Sequence, residues 1–293
     1  MAFRFRRRQS IATEFRRIVR EQTATLISLL ADQGSDVEER IHQARRELKQ
    51  LRALFHLVRS AIDEPTFLEE NTALREAARQ LSKARDAHVA LQTFEIIARK
   101  LPKDEGAGVR QFLAKRASKA RTTSPAQLAT IARRVRTSGH SIAEISLPTD
   151  GWRLVKPGLC RSFRNTRRMH TKAMSSPTET NLHAWRKDVK RLHAQLELFR
   201  RALPKSKRKF IRLLERLGLV LGTHHDFYVL QSSLAEYRKQ GIVAAHCDPL
   251  DQAVARELKT SLRRIAKLSR GAFSQSPMQF VAAVQRDWKK WHG

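Results

Sequence analysis

Imidazole, guanidinium and ammonium groups recur along two segments of this chain at a spacing that gathers them on one side of a helix. The first segment is His42-Gln43-Ala44-Arg45-Arg46-Glu47-Leu48-Lys49-Gln50-Leu51-Arg52, and the second is His183-Ala184-Trp185-Arg186-Lys187-Asp188-Val189-Lys190-Arg191-Leu192-His193. A step of about 100° per residue brings Arg46 and Lys49 beside His42, sets Arg45 and Arg52 on one flank, and returns His56 between them. His183, Arg186, Lys187 and Lys190 form the second stripe, with Arg191 at its edge. Arginine offers phosphate oxygens a fork of donors, and lysine a compact charge with three. A neutral histidine donates one hydrogen bond, and neighbouring cations keep it neutral until an anion arrives. From His42 to His56 the row runs roughly 21 Å at 1.5 Å per residue, enough to meet successive charges of a linear polyanion. A solvated polar face is the plainer reading. Against it, Glu47 and Asp188 are the sole acids in the two segments, and both turn away from the stripe's centre. Like charges then sit at i, i+3 and i+4, where each unrelieved pair costs a few tenths of a kcal/mol.

The elements that would position these rows are helices. Opposite the cations lie Ala44, Leu48, Leu51, Phe55 and Val58 in one segment and Trp185, Val189, Leu192, Leu196 and Phe199 in the other, each a face to bury. Glycine (11) and proline (9) are sparse among the 293 residues, and apolar positions recur at spacings of three and four. That pattern predicts an all-α protein. Helices are expected over 10–31, 36–61, 66–100, 108–121 and 125–145, then over 153–174, 178–202, 205–240, 250–269 and 277–291. The loop-like run Ser146-Leu147-Pro148-Thr149-Asp150-Gly151 divides the chain into halves, 1–145 and 146–293. The two basic segments lie 141 positions apart. Leu81-Ser82-Lys83-Ala84-Arg85-Asp86 and Leu221-Gly222-Thr223-His224-His225-Asp226 lie 140 apart. This register predicts two similar antiparallel helical bundles related by a pseudo-two-fold axis, with a basic cleft between or across them.

Charge and composition narrow the function. The 58 Lys and Arg against 28 Asp and Glu give a net charge of +30, shared as +10 up to Asp150 and +20 beyond it. Such an excess repels itself unless an anionic partner neutralises it. Cys160 and Cys247 form no CxxC pair or disulfide framework, which fits a reducing, cytoplasmic setting. No apolar run reaches the ~18 residues of a membrane span, and no signal-peptide h-region follows the basic start. No membrane partner is therefore expected. Adjacent histidines point about 100° apart on a helix, so His224 and His225 share no metal ion easily. Asp86 and Asp226 are expected instead to orient a neighbouring Arg or His. No metal, cofactor or catalytic constellation is expected; the cysteines lack a His/Asp partner set, and neither a P-loop nor a carboxylate cluster for Mg²⁺ is present. Nucleic acid ranks as a weaker competitor, because aromatics are 6% of the chain and none interleaves either row. Further cations widen the candidate site: Arg17 and Arg20 near the start, Arg161, Arg164 and Arg168 before the second row, and Arg85, Arg208 and Arg212 on later helices.

Taken together, the two rows and the Leu81–Asp86 and Leu221–Asp226 segments resemble the CHAD family, the conserved histidine α-helical domain. Asn181 to Leu192 is similar to that family's histidine-and-basic helix, and Gly158-Leu159-Cys160-Arg161-Ser162-Phe163-Arg164-Asn165-Thr166-Arg167 resembles the basic helix before it. The resemblance implies two four-helix bundles flanking a basic groove that binds inorganic polyphosphate, often at polyphosphate granules, without catalysis. Polyphosphate-metabolising enzymes would be further partners. Two departures stand out. His225 replaces the cation at Arg85, and Glu197, at the position matching His56, is expected to repel a polyanion.

Overall fold

Amphipathic periodicity is realised as eleven α-helices among the described residues of a computed structural model. Described are residues 3–32, 34, 36–82, 85–102, 106–119, 124–239 and 248–293, without the side chains of 85, 86 and 248; His246 and Cys247 lie outside them. The first half contributes α1 (Ile11–Ala31), α2 (Val37–Val58), α3 (Glu64–Gln80), α4 (Arg85–Ala98), α5 (Ala107–Lys119) and α6 (Pro125–Glu144). The second contributes α7 (Trp152–Ser175), α8 (Glu179–Leu198), α9 (Lys205–Lys239), α10 (Asp248–Ser269) and α11 (Pro277–His292). Side-chain caps fix several starts. Asp36 accepts from the Glu38 N–H at α2, and Thr178 from the Asn181 N–H at α8. Gly151 opens α7 at φ +62°, a conformation that glycine alone adopts freely.

One expected helix is two. The segment 66–100 divides into α3 and α4, while α9 runs unbroken for 35 residues. At the division the Ser82 hydroxyl donates back to the Ala78 carbonyl at 2.7 Å, a side-chain bond that competes with continuing the helix. Similarly, α2 stops at Val58 and tightens into a 3-10 turn over Arg59–Ala61.

The main hydrophobic cluster draws residues from Phe5 to Trp288, so the two halves of the chain share it. Its centre is the pair α2 and α8. Ala44, Leu48, Leu51, Phe55 and Val58 of α2 are buried, as are Trp185, Val189, Leu192 and Leu196 of α8 and Phe199 at its C-cap. A second cluster mixes Phe94 and Leu113 with Leu230, Leu234 and Val254. No helix among the described residues is long and apolar enough to cross a membrane.

Two contacts set the position of α2. Gln195 of α8, fully buried, donates its amide to the Ala53 carbonyl at 2.9 Å. On another side Gly158 of α7 meets the α2 backbone so closely that an added Cβ would lie 1.9 Å from the Leu57 carbonyl oxygen. Gly158→Ala must push two helices apart and is expected to destabilise the protein by about 3 kcal/mol. A urea titration followed by helical circular dichroism checks this; an unchanged midpoint would show that the crossing is loose.

Candidate polyanion-binding groove

The polar faces of α2 and α8 meet over one cavity of about 470 Å³. His42, Arg45, Arg46 and Lys49 line it from α2, and Arg186, Lys190 and His193 from α8. Helix α9 forms the third side with Glu215, Gly218, Leu219, Gly222 and Asp226, and Phe3 closes one end. Arg186 and Lys190 lie over the glycines of α9: a Cβ on Gly222 would stand 3.5 Å from Arg186 Nε and Nη2, and one on Gly218 would stand 3.6 Å from Lys190 Cγ, both ordinary van der Waals separations.

Beyond the cavity the cations continue along the same two helices on the α3 side. Arg52 donates from Nε and Nη2 to Asn71 Oδ1 at 3.3 and 3.2 Å. Burial, then Arg191 and Arg75, lowers the Arg52 guanidinium to about 10. His56, stacked edge-on against Phe67, is lowered to about 3 by burial first, then by Arg191 and Arg52. On α8, burial, Lys187, His225 and Arg186 lower His183 to about 4. Its ring centroid lies 4.4 Å from that of His225, the α9 residue that stands where Arg85 stands in the first half. In all three groups, Arg52, His56 and His183, burial acts first and neighbouring positive or protonatable groups add to it.

Acids enter the site more than the helical period suggests. Glu47 reaches Arg46 at 3.4 Å, and Asp188 accepts from Arg191 Nη1 at 3.0 Å, so neither turns fully away. Glu197, expected to repel, is itself surrounded: Arg200 lies at 2.6 Å, His193 at 3.6 Å and Arg4 at 3.8 Å. Three cationic or protonatable partners leave that carboxylate little unbalanced charge.

The remaining candidates lie elsewhere. Arg17 is half-buried on α1, held by Glu14 at 2.6 Å and Glu21 at 2.7 Å and donating to the Arg4 carbonyl at 2.8 Å. Arg20 ties α1 to α6 through Glu144 at 2.9 Å. Arg161, Arg164 and Arg168 stand exposed on α7, outside the cavity lining. Arg161 reaches Ser60 at 3.4 Å, and Arg168 faces Asp188. Arg208 donates to the Leu203 carbonyl at 2.7 Å, and Arg212 is exposed. Lys187 is exposed too. The side chains of Arg85 and Asp86 lie outside the described residues. His224 is buried with Nδ1 2.6 Å from Ser261 Oγ, whereas His225 turns toward His183, so the adjacent pair diverges. Among the described residues no three His, Cys, Asp or Glu side chains are placed to hold a metal ion.

Sequence reasoning passed over Phe3, Glu215 and Leu219 in the cavity, and Asn71 and Arg75 beside Arg52. All five come from elements other than the two basic helices.

Comparison with known proteins places this geometry. The family model for the CHAD domain matches residues 11–235. The crystal structure of the CHAD domain from the plant Ricinus communis is similar in fold, with a TM-score of 0.67 at 18% identity, covering 94% of this chain and 96% of that one. At such identity the likeness concerns the fold. No curated protein matches the chain.

Proposed function

The chain belongs to the CHAD family, and from that premise we propose that it binds inorganic polyphosphate, without catalysis, in the groove between α2 and α8. One observation carries the reading: Arg45, Arg46 and Lys49 face Arg186 and Lys190 across a single cavity. Walls of opposed guanidinium and ammonium groups suit a flexible chain with one charge per phosphate, which can meet both sides at once. The row continues through Arg52 and Arg191, so a long chain engages more cations than a short one. Association with polyphosphate granules and with the enzymes that make or degrade the polymer follows as part of this proposal.

Duplex DNA holds its phosphates on a stiff cylinder, whereas a flexible chain can turn to meet both walls, and of Phe, Tyr and Trp only Phe3 lines the groove as a platform for single strands. Polyphosphate is therefore expected to resist displacement by duplex DNA or RNA at equal phosphate concentration. Efficient displacement would overturn the assignment in favour of a general polyanion surface. For six phosphate contacts, affinity should fall by about 10² to 10³ between 50 and 200 mM salt. Fluorescence anisotropy of end-labelled polyphosphate measures both effects.

A further inference from the structure

At the opposite end of α2 from His56 the molecule holds a second cavity, unrelated to the groove. It has a volume of about 940 Å³ and lies where the end of α1, the first turn of α2 and the start of α6 converge. Leu30, Val37, Leu128, Ala129 and Ala132 give it apolar walls. Leu30, Leu128 and Ala132 are otherwise part of the main hydrophobic cluster, so the cavity opens directly onto the core. Val37, at 37% exposure, is one of the few large apolar side chains left open to solvent.

Into this apolar setting the chain places three guanidinium groups. Arg133 and Arg136 stand exposed at the rim, while Arg40 lines the cavity with only 7% of its surface exposed. Arg40 Nη1 makes a long 3.4 Å contact with the Leu29 carbonyl, and Nε has no hydrogen-bond partner. The contact with Leu29 caps the last turn of α1, yet it leaves Nε unpaired. The single acid in the lining, Asp32, accepts from the Gly34 N–H at 2.9 Å. A buried guanidinium without a full set of partners is costly, and an anion that also fills apolar space removes that cost.

We propose that this cleft binds an amphipathic anion, an unbranched aliphatic chain ending in a carboxylate or a phosphate monoester, with its head on Arg40 and Arg136 and its tail against Leu30, Leu128 and Ala132. The volume lies within the ordinary range for small-molecule sites and holds a chain of about twelve carbons with room to spare. Polyphosphate would gain nothing from such walls, and a neutral alkane would leave the guanidinium unmatched.

Calorimetric titration of the full chain with laurate, dodecyl phosphate and dodecanol, each below its aggregation threshold, tests this. Saturable one-to-one binding of at least one anion is expected, with dodecanol about tenfold weaker or more. The tighter anion identifies the head group. Ala129→Trp fills the cleft from an exposed position and should weaken the anion at least tenfold while leaving polyphosphate retention at the wild-type level. Arg40→Gln and the rim variant Arg136→Gln should each weaken the anion relative to dodecanol. Absence of saturable binding, equal binding of dodecanol, or undiminished binding to Ala129→Trp would each overturn the proposal. If Arg40→Gln fails to fold, the other two variants decide.

Discussion

Reversing three charges across the groove, Lys49→Glu with Arg186→Glu and Lys190→Glu, should weaken polyphosphate binding by about 10³ or more. The three side chains line one cavity from two helices. A hydrogen bond to a charged group contributes about 1.5–3 kcal/mol, and each decade of affinity is about 1.4 kcal/mol. Three lost contacts, even if not additive, exceed the ~4 kcal/mol needed for a thousandfold loss, before the new carboxylates add repulsion. The polar faces of α2 and α8 carry none of the packing that buries Leu48, Leu51, Val189 and Leu192, so helical dichroism should persist. Arg263→Glu with Arg264→Glu and Lys267→Glu on exposed positions of α10 changes the net charge equally. That control is expected to lose less than tenfold. If it loses as much, retention follows net charge and the groove has no special role.

Lowering the pH from 7 to 5 should strengthen polyphosphate binding, by at most roughly twentyfold per histidine, the limit for a full return to the ordinary pKa on binding. In the free protein His183 is lowered to about 4 and His56 to about 3, so both are neutral throughout that window. Burial is the first cause for both; Arg191 and Arg52 act next on His56, and Lys187, His225 and Arg186 on His183. Phosphates set among these cations favour the imidazolium, so the bound state takes up protons that the free state refuses. The stability of the free protein has the same origin. A depressed histidine pKa favours folding above the unfolded value near 6.5, and that advantage is lost as pH falls toward the folded value. Acid should therefore destabilise the free protein, and polyphosphate should oppose the loss. Titration calorimetry in two buffers of different ionisation enthalpy reads the proton uptake directly. Affinity that stays flat between pH 7 and 5 at fixed ionic strength would exclude the histidines from the binding equilibrium. His183→Gln and His56→Gln should flatten it.

The helix faces were legible because an amphipathic period leaves little freedom: once Leu48, Leu51 and Phe55 are buried, Arg45, Arg46 and Lys49 must face outward. What crosses the groove was not. Glu215 and Leu219 reach the cavity through the packing of α9 on α8, and no spacing within α8 announces a third helix; of the α9 acids only Asp226 was singled out, through its motif. Arg17 is different, since its signal was in plain view. Glu14 and Glu21 lie three and four residues away on the same helix, the spacing at which a side chain is claimed locally. The division between α3 and α4 left only Ser82 as a mark, with no glycine or proline to punctuate it. Glu197 could be read as a repulsive charge from its type, yet Arg200 three residues on was a legible partner; only the more distant Arg4 depends on an N-terminal segment that returns to α8, where the Phe5 N–H donates to the Leu198 carbonyl at 2.9 Å.

Because one hydrophobic mass serves both halves and Gly158 presses directly on the Leu57 backbone, the cationic walls have no hinge about which to swing. A clamshell that shuts on its ligand would need the core to shear. If the groove binds polyphosphate as proposed, the polymer meets walls already in place, and the backbones of α2 and α8 should superpose in the free and bound proteins.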